Sequence, residues 1–163
     1  MNGQLAIRSN NFLHGGLQSK VLTEEFREVQ EYSDASRSIT MRSRLLGVLE
    51  DLGEVYREGG KENWDGYGAK RVRYAAYLGA DRFLRTLPSA VPLPEILLEP
   101  DGAIAFEWHK ASNWVFSVSV ENMNELSYAG LFGRSEICGK EFFRDEIPQA
   151  IIQSIARLVS SPD

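Results

Sequence analysis

Glu99-Pro100-Asp101-Gly102-Ala103-Ile104-Ala105-Phe106-Glu107-Trp108 is a turn followed by an aromatic strand. Asp101-Gly102 forms a tight-hairpin pair, because both residues tolerate positive φ. Beyond it, Ile104, Phe106 and Trp108 alternate with Ala103, Ala105 and Glu107, the period of a strand with one apolar face. The pattern returns after the Lys110-Ala111-Ser112-Asn113 turn. There Trp114, Phe116, Val118 and Val120 alternate with Val115, Ser117, Ser119 and Glu121. Ile96 to Glu99 supplies a strand before the hairpin, and Glu125 to Phe132 supplies one after Asn122-Met123-Asn124. The spacing predicts a four-stranded antiparallel meander. Residues 133 to 146 read as a polar loop.

Upstream the period is helical. Leu22, Phe26 and Val29 recur at i, i+4 and i+7, which suggests a short amphipathic helix or an edge strand. Residues 33 to 38 (Ser-Asp-Ala-Ser-Arg-Ser) offer N-caps for a helix over 39–58. Its apolar stripe is Met41, Leu45, Val48, Leu49, Leu52, Val55 and Tyr56. Gly47 and Gly53 cost it roughly 1 kcal/mol each unless another element approaches there. Gly59-Gly60 stops the helix by permitting a left-handed residue.

A second helix is expected over 72–86, with small residues at 75, 76, 79 and 80 allowing close packing, and Leu87-Pro88 ending it. A last helix, 146–160, carries Ile147, Ile151, Ile155 and Leu158 on one face, with Asp145 as N-cap. The fold class is α+β: N-terminal helices, a four-stranded antiparallel meander, and a C-terminal helix packed on one face of the sheet. Residues 1–36 read as an N-terminal arm, partly mobile, and 37–163 as a single domain.

The 163 residues leave room for a core, and 43% hydrophobic with 25% charged residues is ordinary for a globular protein. Cys138 is the single cysteine, so no intramolecular disulfide forms and no cysteine pair exists for zinc. No run approaches the ~18 apolar residues of a membrane helix. The N-terminus shows no secretory signal, so a cytoplasmic protein is expected, with no membrane partner.

Asn63-Trp64-Asp65-Gly66-Tyr67-Gly68-Ala69 is the other informative segment. As a recognition loop, Trp64 and Tyr67 give contact area and Asp65 a polar anchor. As a structural turn, the aromatics plug the core edge, Asp65 binds nearby amides and the glycines take positive φ. The Trp-Asp-Gly-Tyr-Gly-Ala segment, paired with the downstream Pro-Asp-Gly…Glu-Trp strand, resembles a family of small uncharacterised bacterial proteins over roughly residues 40 to 130. The resemblance implies an architecture and no activity. Lys70-Arg71-Val72 stands where that family leads one to expect a proline.

Glu107, with Asp101 or Asp65, would form a carboxylate pair for metal or acid–base work; the strand alternation, which puts it on the face opposite Phe106 and Trp108, favours a solvent-facing residue. His14 and His109 lack ligand spacing, and no nucleophile elbow supports Cys138 or a serine with His109. Gly66-x-Gly68 lacks a third glycine and a preceding strand, so no dinucleotide loop is present. No metal site and no cofactor are expected.

Net charge is −5, which disfavours nucleic acid as a partner. The charge is uneven. Lys70, Arg71, Arg73, Arg82 and Arg85 stand against Asp81 in the second helix region, and residues 95–146 hold ten acids against four bases. A basic side would meet nucleic acid or an acidic protein. The expectation is a non-enzymatic protein-interaction module binding another protein or a second copy of itself. By association, small acidic bacterial proteins of this kind serve as antitoxins, immunity proteins or defence-related accessory factors. The alternative is a small enzyme or ligand-binding domain with a carboxylate–aromatic pocket between helices and sheet, using Asp65, Tyr67, Asp101 and Glu107.

Overall fold

The structure is a computed structural model that describes residues 15–160, with side chains described from Thr23 onward except that of Glu25. The chain divides into two compact units between Arg42 and Ser43. One helix, α1, spans Gly15–Glu58. In the first unit it runs unbroken through the Ser33–Ser38 segment expected to cap a separate helix. Those polar side chains stay on the helix surface. The Thr40 hydroxyl donates to the Ser36 carbonyl at 3.0 Å, and the Gln30 amide donates to Asp34 Oδ1 at 3.2 Å. Arg27 pairs with Glu24 at 3.1 Å and Arg37 with Asp34 at 3.8 Å, all exposed. Cap residues were the reason to expect a separate helix to start here; instead the side-chain pairs fall at helical i,i+3 and i,i+4 spacing and favour the continuous helix. The arm expected over residues 1–36 lies partly outside the described residues.

The second unit is built on a five-stranded antiparallel sheet in sequence order. Its strands are β1 (Glu95–Leu98), β2 (Ile104–Ala111), β3 (Trp114–Val120), β4 (Glu125–Phe132) and β5 (Ser135–Phe142). Helices α2 (Tyr74–Thr86) and α3 (Gln149–Ser160) complete it. β5 corrects the expected count of four strands. It was hidden because its alternation is weak: Ile137 is half-buried, but Glu136, Cys138 and Lys140 are exposed and Gly139 has no side chain. Gly139 is required there. It pairs with Tyr128, whose hydroxyl oxygen would lie 2.5 Å from any added Cβ.

Phe106, Trp108, Phe116, Val118, Val120, Leu126 and Phe132 form the inner face of the sheet. Val48 and Leu52 of α1, Ala80 and Phe83 of α2, and Ile151, Ile155 and Leu158 of α3 close over it in one cluster. Phe83 stacks on Phe106 at 4.9 Å and meets Phe143 edge-on at 6.0 Å. Trp108 is 4% exposed, and its indole N–H donates to the Pro92 carbonyl at 2.8 Å. That bond anchors the proline-rich connector to the sheet.

α1 ends at Glu58 as expected, but not through a left-handed residue. Neither Gly59 nor Gly60 is left-handed. Gly59 is needed because a side chain there would strike Val72 and Leu98. α3 begins at Gln149 instead of 146, with the Pro148 carbonyl accepting from Ile151 at 3.0 Å. Gly47 and Gly53 have nothing within 4 Å of an added Cβ, so neither marks a close approach.

Candidate functional site

The Asn63–Ala69 segment is a closed loop. The Asn63 amide donates to the Ala69 carbonyl at 2.6 Å, and Asn63 itself sits at φ 58°. Asp65 Oδ1 accepts from the Tyr67 amide at 2.8 Å and the Ala69 amide at 3.1 Å. Those bonds, the Tyr67 one foremost, hold the Asp65 carboxyl below its usual pKa. Trp64 is half-buried, with its indole N–H on the Lys70 carbonyl at 3.1 Å. The loop therefore spends Trp64 and one Asp65 oxygen on its own shape and leaves Tyr67, 95% exposed, standing free at the tip.

The chain then runs extended through residues 69–73 and docks on the turn between β1 and β2. The Lys70 amide donates to the Pro100 carbonyl at 2.8 Å, and the Arg73 amide to the Gly102 carbonyl at 3.0 Å. Gly102 allows this approach: at φ +90° it places its α-carbon where a Cβ would lie 2.6 Å from the Arg71 carbonyl oxygen. Only Gly102 in this turn has positive φ, and its amide bonds the Glu99 carbonyl at 2.9 Å. The hairpin is thus a turn centred on Pro100-Asp101 with a left-handed glycine after it, rather than a two-residue turn with Asp101 also left-handed. Buried Ala69 and Val72 anchor the extended segment, while Lys70, Arg71 and Arg73 are exposed.

These pieces enclose an open cleft of about 690 Å³ lined by Tyr56, Arg57, Glu62, Lys70, Arg71, Arg73, Tyr74 and Asp101 among others. The lining carries four cations against two carboxylates. Tyr56 and Tyr74 give the cleft an aromatic side, backed by Tyr77, whose ring lies 4.5 Å from that of Tyr56 and stacks on Tyr74 at 6.2 Å. The N-terminus of α2 opens beside it with no side-chain cap and no acid in its first turn. Helix dipole and cations thus reinforce one another.

Of the residues singled out from sequence, Lys70, Arg71, Arg73 and Asp101 meet at this cleft. Arg82 and Arg85 do not. Arg82 lies over the Phe143 ring at 4.6 Å, and Arg85 is forked onto Asp81 at 2.7 and 3.0 Å, which raises its pKa. Glu107 is in register with Glu95 and Ser117, on the sheet face away from the helices. It is not among the residues that line the cleft, and the Asp101 Oδ1 accepts from the Ala103 amide at 3.0 Å. His109 on β2 and Cys138 on β5 are three strand spacings apart, ~14 Å, too far for a nucleophile–base pair. His14 lies outside the described residues. Among the described residues no group of three or more His, Cys, Asp or Glu is placed to hold a metal, and no helix is long and apolar enough to cross a membrane. Tyr56, Arg57, Glu62 and Tyr74 were missed as site residues; Tyr56 sat in an apolar stripe that reads as core.

Compared with protein-family models, curated proteins and solved structures, the chain matches none at a significant level.

Proposed function

We propose that this protein is a non-enzymatic binding module that takes an acidic segment of a partner protein into the cleft between α1, the 70–73 segment and the β1–β2 turn. The observation that carries the reading is the convergence of Lys70, Arg71 and Arg73 with Tyr56 and Tyr74 around one open volume. Cations give charge complementarity to carboxylates and raise association rates. Tyrosines add contact area at low entropy cost. Tyr67, on a loop whose ends at Glu62 and Lys70 border the cleft, supplies a rigid aromatic contact at its rim. Catalysis forms no part of the proposal.

The test is titration of a fluorescent oligoglutamate peptide into the protein, with oligolysine as control. Saturable, salt-sensitive binding that weakens roughly tenfold in Lys70→Glu/Arg71→Glu and is unchanged in Arg85→Glu supports the reading. Equal binding by both variants, or none by the parent protein, defeats it. Capture of a partner from the native host, lost in the same double variant, would then identify the acidic segment.

A further inference from the structure

The first unit carries a row of apolar side chains in water. Phe26 is 74%, Val29 67%, Tyr32 77% and Ile39 66% exposed on α1. Single exposed apolar residues are ordinary, but these follow a pattern. Val29, Tyr32, Ser36 and Ile39 fall at alternating spacings of three and four, the seam of a heptad repeat. Phe26 and Thr40 lie at one flank of that seam, and Glu28 and Arg42 at the other.

The sizes along the seam choose an orientation. If a second helix ran parallel in register, Tyr32 would meet Tyr32 and Ser36 would meet Ser36, crowding one layer and emptying the next. Run antiparallel, Val29 faces Ile39 of the second copy and Tyr32 faces Ser36, so the two Tyr–Ser layers match large with small. On the flanks Phe26 then lies over Thr40.

Charge chooses the same orientation. Glu24, Glu28, Glu31 and Asp34 make the earlier part of the segment acidic, whereas residues 35–42 hold Arg37 and Arg42 and no acid. Arg27 and Arg37 are paired within their own helix, to Glu24 and Asp34. Glu28 and Arg42 have no ion-pair partner among the described residues. In the antiparallel register they face each other across the seam twice, once at each end.

We infer that residues 26–42 of α1 pair with the same segment of a second copy as an antiparallel two-stranded coiled coil, centred near Asp34 and closed by two Glu28–Arg42 ion pairs. The interface is isologous, so it closes at a dimer. So short a seam makes a weak dimer. The pairing is independent of the cleft proposed above.

Sedimentation equilibrium of the full chain over a concentration series tests it, with circular dichroism confirming that each variant stays folded. The parent protein gives a monomer–dimer equilibrium. Glu28→Arg and Arg42→Glu each weaken the dimer roughly tenfold by creating like-charge pairs at both ends, and the double exchange restores it. Orientation is read by oxidative crosslinking in a Cys138→Ser background. Val29→Cys and Ile39→Cys protein crosslink when mixed and neither crosslinks alone. In a parallel pair those positions stand ~15 Å apart, beyond disulfide reach, and each variant would crosslink with itself. A strictly monomeric parent protein, no rescue by the double exchange, or self-crosslinking of the single variants overturns the proposal.

Discussion

The Arg73 guanidinium donates to the Asp101 carbonyl at 3.0 Å, and its Nε donates to the Glu121 carbonyl at 3.2 Å. The two carbonyls belong to different turns at one end of the sheet, β1–β2 and β3–β4. One side chain at the start of α2 therefore fastens the helix to both. Arg73→Ala should cost about 1 kcal/mol, the modest figure reflecting its exposure, and lower Tm by ~4 °C in calorimetry. Arg73→Lys should recover only part of this, since an ammonium cannot reproduce the fork. An unchanged Tm in Arg73→Ala would show the two bonds to be idle.

Asp65 links the loop's shape to pH. Its folded pKa is lowered by the Tyr67 and Ala69 amides, so the unfolded chain, with a value near 3.9, takes up the proton more readily. The contribution to stability is complete above the unfolded value and is lost as pH falls through the folded one. Melting temperature should therefore drop between about pH 5 and about pH 3 more steeply in the parent protein than in Asp65→Asn. Parallel curves would exclude the assignment.

Gly79 and Gly53 make a matched pair of opposite sign. A Cβ at Gly79 would strike the Asn122 carbonyl oxygen and Val120, so Gly79→Ala forces α2 off the sheet and should cost ~2 kcal/mol. Gly53 lies within α1 with nothing within 4 Å of an added Cβ, and Gly53→Ala should stabilise by ~0.5–1 kcal/mol. Chemical denaturation resolves both; the same sign in each would contradict the packing described for α2.

Trp108→Phe keeps most of the buried ring but strands the Pro92 carbonyl. The expected loss is ~1–3 kcal/mol. The proline connector should become more open to proteolysis between Pro88 and Pro94 while the sheet remains protected in hydrogen exchange.

Tyr67→Ala separates recognition from folding. The ring is 95% exposed, so stability should change by less than ~0.5 kcal/mol. Oligoglutamate binding, in contrast, should weaken measurably. A large loss of stability would mean that the ring supports the loop and contributes nothing as a contact.

Most of the meander was legible in the chain, because period-two alternation over Ile104–Trp108 and Trp114–Val120 sets Phe106, Trp108 and Phe116 on one face. Periodicity also set α2 and α3 to within a few residues, since their apolar faces repeat at helical spacing. It failed at β5, where half-polar alternation on an edge resembles a loop, and at Ser33–Ser38, where cap residues lie inside a continuous helix. Only the tertiary structure decided the site. Whether Arg71 and Arg85 share a surface depends on how an extended segment docks on a turn, and Gly102 at φ +90° is what lets the Arg71 carbonyl come close. Likewise, Tyr56 reads as core in any stripe of apolar residues; it does pack against the core, and the fold also sets it at the cleft, beside Tyr74 from the next helix. Periodicity records which side of an element faces inward; it carries no record of which elements end side by side, because that is settled by contacts between residues distant in the chain.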